Sequence, residues 1–561
     1  MRLPVSLPKN PATWLFFLCF AAFVLMLLRN TGLQPSIFHD EYTYSTFSRL
    51  HPLSEAPIPG YLYLWIYSFT NRCGDGFLEC ARIFNALFFT AGAIFIFLTA
   101  RKVASGPVAV LAAAFAIFGP LGIYTVYFMP ESLYFLGFWI FVWKLMDLNA
   151  DSGSREWLLT GFLFGCLSLI KPHSLLLIPA VAVYIWVICR EQDGGTARRV
   201  KNLVSFGAAT AAAKFPIAFL FAGKAGFTIF GPFYNQFADR GTQGPDVYLK
   251  LLEFASLSLA GHIMIVALLY GVPLFIAVSI ASNSAGGGEN APSAPLKRIS
   301  LFAVLVALNL ILATAAFTGL ASSNSEDKFA LHMRYYNFAL PLFYIVAGAA
   351  MSAKSLNPNL FSRLFLALLT GLAAWAACTL MSPFLAGYLH SPEFYTLQNG
   401  LFPVFAAMSI FTLGLCFRRA DRGTSLYFCL LAPLFVLSSF DMIEKARSGS
   451  LVPEVADRAG LFARNYLSGE ERDKLVILGS DIQRAAFHVD SPGVVVNWTP
   501  GGWKRGAFAL PPEKEWILFV GVEPPPGDFF SEAVPMNGFT LARIAGRHPK
   551  DKPAAPGEIS R

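Results

Sequence analysis

The chain is divided into many separate apolar runs, most of them roughly 17 to 22 residues long and so about long enough to cross ~30 Å of hydrocarbon as a helix. Runs of that length, rather than short alternating segments, exclude a transmembrane barrel. Thirteen spans are predicted, near 12–29, 81–100, 106–123, 132–148, 157–170, 174–189, 203–222, 251–281, 299–320, 337–353, 363–382, 400–417 and 425–440. With 55% hydrophobic and 14% charged residues, the composition lies outside the soluble globular range. The expected fold class is an all-α polytopic membrane protein, followed by a small α/β domain at the C-terminus.

The formal charge of +8 invites a nucleic-acid partner, but the basic residues collect in short loops between the runs. The positive-inside rule accounts for them there, so the partner they imply is the lipid bilayer and not a nucleic acid. One set of alternating loops holds Arg101, Lys102, Arg155, Arg190, Arg198, Arg199, Lys201, Lys297, Arg298, Lys354, Arg418, Arg419 and Arg422, and is read as cytoplasmic together with the N-terminus. The other set is expected on the periplasmic side of a bacterial inner membrane: residues 30–80, 124–131, 171–173, 223–250, 321–336, 383–399 and everything after about 441. The first run follows Arg2 and Lys9 but ends in Leu27, Leu28, Arg29 and Asn30, without a small-x-small cleavage pattern, and is read as a retained span.

Two domains follow, a transmembrane one over 1–445 with the long loop 30–80, and a small periplasmic α/β domain over 446–561. In the second, a helix is predicted at 454–467, and Leu475 to Leu478, Val494 to Val496 and Trp516 to Val522 read as buried strands. The last dozen residues read as disordered, and Ser282 to Pro295 as a flexible linker. Six of the eight cysteines lie in or beside apolar runs and read as packing residues. Cys73 and Cys80 fall in or beside the long outer loop, where a disulfide and a free thiol both remain open.

That loop opens with FHDEYTYSTFSRL, which sets Asp40 and Glu41 at the membrane surface, and continues into the amphipathic PLSEAPIPGYLYLW. Adjacent carboxylates are common in solvated loops, and it is their position at the end of a span that singles these out. A span, then Asp-Glu in a long first outer loop, then a Pro/Tyr/Trp-rich stretch resembles the C-type (GT-C) glycosyltransferase superfamily. The similarity is greatest to bacterial relatives of dolichyl-phosphate-mannose protein mannosyltransferases and of lipid A aminoarabinose transferases. The resemblance implies transfer of a sugar from a polyprenyl-phosphate-linked donor to a lipid, glycan or protein acceptor. It also implies a first-loop Asp as general base, here Asp40, and inversion at the anomeric carbon. Glu41 is placed beside it in the catalytic set, to hold acceptor, cation or loop.

Three further motifs lie on the same predicted side. In YFMPESLYFLGFW, Glu131 is a substrate-orienting candidate, against the reading of a carboxylate favoured by the helix dipole. In SLIKPHSLLLIP, Lys171 breaks the cytoplasmic bias and is a candidate ligand of the donor phosphate, with His173 orienting substrate; snorkelling is the other reading of the lysine. In DKFALHMRYYNFALPL, similar to an Arg-Tyr motif of the superfamily, Arg334 and His332 are further phosphate-binding candidates, since an arginine fork suits a phosphate. Asp239 and Arg240 in a later outer loop could contact an acceptor, and His262 reads as a packing histidine.

P-loop, paired CxxC, HExxH and GxSxG motifs are lacking, as is a soluble domain of the size a nucleotide-sugar site needs, so the donor is expected to be lipid-linked. No cofactor is assigned and a divalent cation is left open. The alternative is a polytopic secondary transporter or flippase of lipid-linked sugars, which would break its helices near the midplane; here the ionisable candidates gather at the outer ends of spans.

Overall fold

The computed structural model describes residues 10–36, 38–190, 195–232, 245–282, 293–321, 329–351, 358–380, 384, 387, 389–398, 400–497, 511–525 and 529–545. Most of the predicted linker, the predicted disordered tail, and Asp239 and Arg240 lie outside the described residues.

The helices run in chain order α1 (Pro11–Asn30), α2 (Phe38–Arg49), α3 (Tyr61–Tyr67), α4 (Phe77–Ala100), α5 (Gly106–Phe118), α6 (Glu131–Leu145), α7 (Ser154–Ile170), α8 (Ile178–Arg190) and α9 (Thr196–Ala222). They continue as α10 (Pro245–Ser282), α11 (Ala294–Ala321), α12 (Pro341–Met351), α13 (Leu360–Thr379), α14 (Pro392–Leu397), α15 (Phe402–Arg418), α16 (Ala420–Leu426) and α17 (Ala432–Gly449). Each of the thirteen predicted runs overlaps at least one of these helices. Among the described residues eight helices are long and apolar enough to cross a membrane, or nine if one bent pair counts as a span. The chain is a multi-pass membrane protein.

The remaining four predicted spans are shorter helices: α6, α7, α12 and α15 have 15, 17, 11 and 17 residues. The predicted run 106–123 is corrected to a bent pair, in which α5 stops at Phe118 and a 3₁₀ segment, Pro120–Val126, leaves it at 51°. Pro120 has no N–H to continue the helical ladder, and Gly119 before it takes an extended conformation. Close approach of α7 and α9 rests on small residues. A Cβ added to Gly165 would lie 2.6 Å from the Ala213 Cβ, and Thr210 Oγ1 donates to the Gly161 carbonyl at 3.1 Å.

The long loop is not open coil. It holds α2 and α3, and Cys73 is disulfide-bonded to Cys80, joining the 3₁₀ segment Ser68–Gly76 to the first turn of α4. The bundle therefore receives the loop as packed structure.

Past α17, helices α18 (Val455–Tyr466), α19 (Gly469–Asp473) and α20 (Ile482–Val489) accompany a five-stranded sheet of order β2-β1-β3-β5-β4. β1 (Leu475–Gly479) pairs parallel with β2 (Val495–Asn497) and with β3 (Trp516–Val520). β5 (Phe539–Ile544) pairs antiparallel with β3 and with β4 (Phe530–Met536). The period-2 side-chain alternation puts Leu475, Ile477, Trp516 and Leu518 on the face that packs with Ala459, Ala463 and Ala485 of α18 and α20.

Candidate active site

Four ionisable side chains from distant parts of the chain meet at one end of the bundle. Asp40 stands in the first turn of α2, just beyond α1, and Glu131 is the first residue of α6. Lys171 follows the last residue of α7, in an extended conformation that suits the residue before a proline. Arg334 lies in a 3₁₀ turn, Met333–Tyr335, shortly before α12, its backbone N–H donating to the His390 carbonyl at 2.9 Å.

Arg334 joins the two carboxylates. Its Nη1 donates to Asp40 Oδ2 at 2.7 Å and its Nε to Glu131 Oε1 at 2.7 Å, while Lys171 Nζ donates to the same Glu131 oxygen at 2.9 Å. Glu131, Lys171 and Arg334 are 7%, 3% and 8% exposed, whereas Asp40 is 31% exposed. Asp40 is thus the member of the network that solvent can reach.

Burial alone would raise the Glu131 carboxyl, which lies one residue before the predicted fourth span. Arg334 and Lys171 outweigh burial and hold it at about 2. Two carboxylates then balance two cations. Removing Glu131 would leave Lys171 without its carboxylate and Arg334 with Asp40 alone, and uncovering a buried charge in this way costs about 3–5 kcal/mol. Its Oε2 is buried without a hydrogen-bond partner among the described residues, and Glu131 lines a small cavity with Tyr124, Lys171, Arg334 and Asn337.

Glu41 does not join Asp40. It is fully buried, and its two oxygens accept the backbone N–H groups of Ser36 at 2.8 Å and Phe128 at 2.9 Å. Successive helical residues point about 100° apart, which separates the two carboxylates. Of the roles the sequence leaves open for Glu41, these contacts are those of a brace that ties the entry of α2 to the chain before α6.

His332 is seated among other histidines. Its backbone N–H meets His262 Nε2 at 3.4 Å, and its ring lies 5.0 Å from that of His390. Burial pushes it down to about 3, so it is neutral near pH 7 and brings no positive charge to a phosphate. His173 packs its ring 4.9 Å from Tyr335, whose ring lies 5.8 Å from Lys171 Nζ, and so forms part of an aromatic wall beside the network.

Residues outside the sequence expectations complete the site. Asn337 Nδ2 donates to the Tyr124 hydroxyl at 3.1 Å and reaches Glu393 Oε2 at 3.5 Å. Glu393, in α14, is fully buried, and burial raises its carboxyl to about 8. In HSPEFYTL it resembles a solvated loop acid, and its only sequence signal is the apolar ring pair that follows. Arg82, an arginine at the start of an apolar run, donates its Nε to the Val126 carbonyl at 2.9 Å and its Nη1 to Glu79 at 2.7 Å, which anchors the segment before α6. Among the described residues no group of three or more His, Cys, Asp or Glu side chains is arranged to hold a metal ion.

Residues 57–217 match the profile of a protein family described as dolichyl-phosphate-mannose-protein mannosyltransferase. The chain resembles the C-type glycosyltransferases. The matched stretch runs from just before α3 into α9 and includes Glu131 and Lys171, but it stops short of Asp40 and Arg334 at either side. Comparison with curated proteins gave no match. Among solved structures, the chain is similar to an oligosaccharyltransferase of Archaeoglobus fulgidus tethered with an acceptor peptide, at 12% identity and a TM-score of 0.41, covering 86% of this chain and 64% of that one. It is also similar to the archaeal oligosaccharyltransferase of the same organism in complex with an inhibitory peptide and a dolichol-phosphate, at 11% identity and a TM-score of 0.36, covering 90% and 69%. The chain thus spans a little under two thirds of the length of the first.

Proposed function

We propose that the chain is a membrane glycosyltransferase that moves a hexosyl or pentosyl unit from a polyprenyl-phosphate-linked donor to a hydroxyl of a lipid, glycan or protein acceptor. The observation that carries this reading is the Asp40–Arg334–Glu131–Lys171 network, assembled from four separate segments with Asp40 as its accessible member.

The chemistry needs both halves of the network. As the acceptor oxygen bonds to the anomeric carbon, its proton passes to Asp40, and the bond from that carbon to the phosphate oxygen breaks. The phosphate leaves on the opposite face, so one displacement inverts the centre. It departs as a monoester and gains a negative charge, which Lys171 and Arg334 are placed to receive. Glu131 keeps those two cations fixed and aimed. We read this end of the bundle, opposite the basic loops, as the periplasmic side of a bacterial inner membrane.

The test is Asp40→Asn, assayed in detergent or liposomes with a polyprenyl-phosphate-sugar donor and acceptor. Unfolding is expected to change little, and transfer to fall by at least about 100-fold, the usual contribution of a positioned base. Full transfer in that variant removes Asp40 as the base. Donor movement across the bilayer that needs no acceptor and survives the substitution would favour a flippase.

A further inference from the structure

α2 carries Asp40 in its first turn and Arg49 as its last residue, about 18 Å of helix in all. Both approaches to this helix are held by parts of the chain more than four hundred residues away. Ahead of it, Gln34 N–H donates to the Ser450 carbonyl at 2.8 Å, and the hydroxyls of Ser36 and Ser450 are 2.7 Å apart. At its far end, Arg49 makes a two-pronged pair with Asp490, Nη2 to Oδ1 and Nη1 to Oδ2, the latter at 3.3 Å.

The far-end joint is built from layers. The Arg49 guanidinium lies 3.4 Å over the Phe77 ring, and Phe77 packs 5.2 Å from Phe487 of α20. Arg49 Nε donates to Ser45 Oγ at 3.1 Å, so the guanidinium is fixed on its own helix as well. Asp490 caps α20 in a left-handed conformation, φ 53°, which asparagine and aspartate adopt more readily than most residues. Between the two ends, Tyr42 packs against the hydrophobic cores of both the bundle and the C-terminal domain. These observations concern the placement of α2, and none of these groups touches the four-residue network.

We propose that the C-terminal domain sets the helix that carries Asp40, with Asp490 as a positioning residue that acts through Arg49. This rests on the reading of Asp40 as the base. The domain thereby has work in the reaction while its own residues stay outside the chemistry, because a reacting group displaced by about 1 Å can lose 100-fold in rate.

The experiment uses the full chain in detergent and compares Asp490→Asn and Asp490→Glu with the parent. Asparagine keeps the left-handed backbone and deletes the charge, and glutamate restores it. For Asp490→Asn, kcat is expected to fall about 10- to 100-fold with donor KM unchanged. Amide exchange should rise over 38–49 and remain as in the parent over α4 to α9, and Asp490→Glu should recover much of both. Unchanged kcat, or unchanged exchange over 38–49, overturns the proposal, as does an equal change in donor KM. If the parent transfers no sugar, the functional reading fails, and the exchange measurement still decides whether Asp490 holds α2.

Discussion

Arg334 Nη1 sits 2.7 Å from Asp40 Oδ2, so the group assigned as base is occupied by the cation assigned to the leaving phosphate. An acceptor proton delivered to that oxygen would have to displace the Arg334 N–H that already occupies it. A donor phosphate that draws Arg334 toward itself would release Asp40 as it binds. Binding is then ordered, donor before acceptor, and a site without donor stays inactive toward acceptor hydroxyls. Product-inhibition kinetics are expected to show a compulsory order. Arg334→Gln should lose the order along with about 100- to 1,000-fold in kcat, the usual loss for one electrostatic stabiliser. A random order in the parent protein would show that the Asp40 pair does not gate the reaction.

Glu393 makes a separate prediction about pH. Burial raises its carboxyl from the ordinary 4.5 to about 8, so the folded protein keeps a proton there that the unfolded chain has lost above about pH 4.5. Where the folded state binds more protons, stability falls as pH rises. The contribution of Glu393 is thus full below about pH 4.5, declines through neutrality, and once pH passes about 8 the folded protein must carry a buried carboxylate. Melting temperatures in detergent, measured from pH 5 to pH 9, should drop across that window. Glu393→Gln, which stays neutral and can still accept from Asn337, should flatten the drop. Parallel curves for the two proteins would place the carboxyl in its ionised form.

Much of this arrangement can be read from the residues. The helices of the bundle follow from runs whose length matches a bilayer, because apolar length is a local property. Glu131, Lys171 and Arg334 are each visible as ionisable residues at the ends of such runs. Their mutual pairing is not, because ion-pair partners are chosen by tertiary approach between segments up to 294 residues apart. Asp40 and Glu41 look alike in sequence and differ only once α2 is wound and docked. Glu393 is hidden for the same reason, its burial being supplied by neighbours remote in sequence. β4 escapes a pattern search because it is a mostly exposed edge strand containing Glu532 and Pro535, neither favoured in strands.

Glu41 supplies the sharpest contrast with its neighbour. Its carboxylate accepts two backbone N–H groups, from Ser36 and Phe128, within a fully buried site. Glutamine can accept one of them and must turn its own NH₂ toward the other, which leaves a buried donor facing a donor. Glu41→Gln is therefore expected to destabilise the protein by about 1.5–3 kcal/mol, the range for hydrogen bonds to a charged group. Asp40→Asn, at a partly exposed position, should cost much less in stability and far more in transfer. Chemical unfolding and transfer assays on the two variants test this directly. If Glu41→Gln keeps parental stability and loses transfer as completely as Asp40→Asn, then Glu41 belongs to the chemistry and the brace does not describe it.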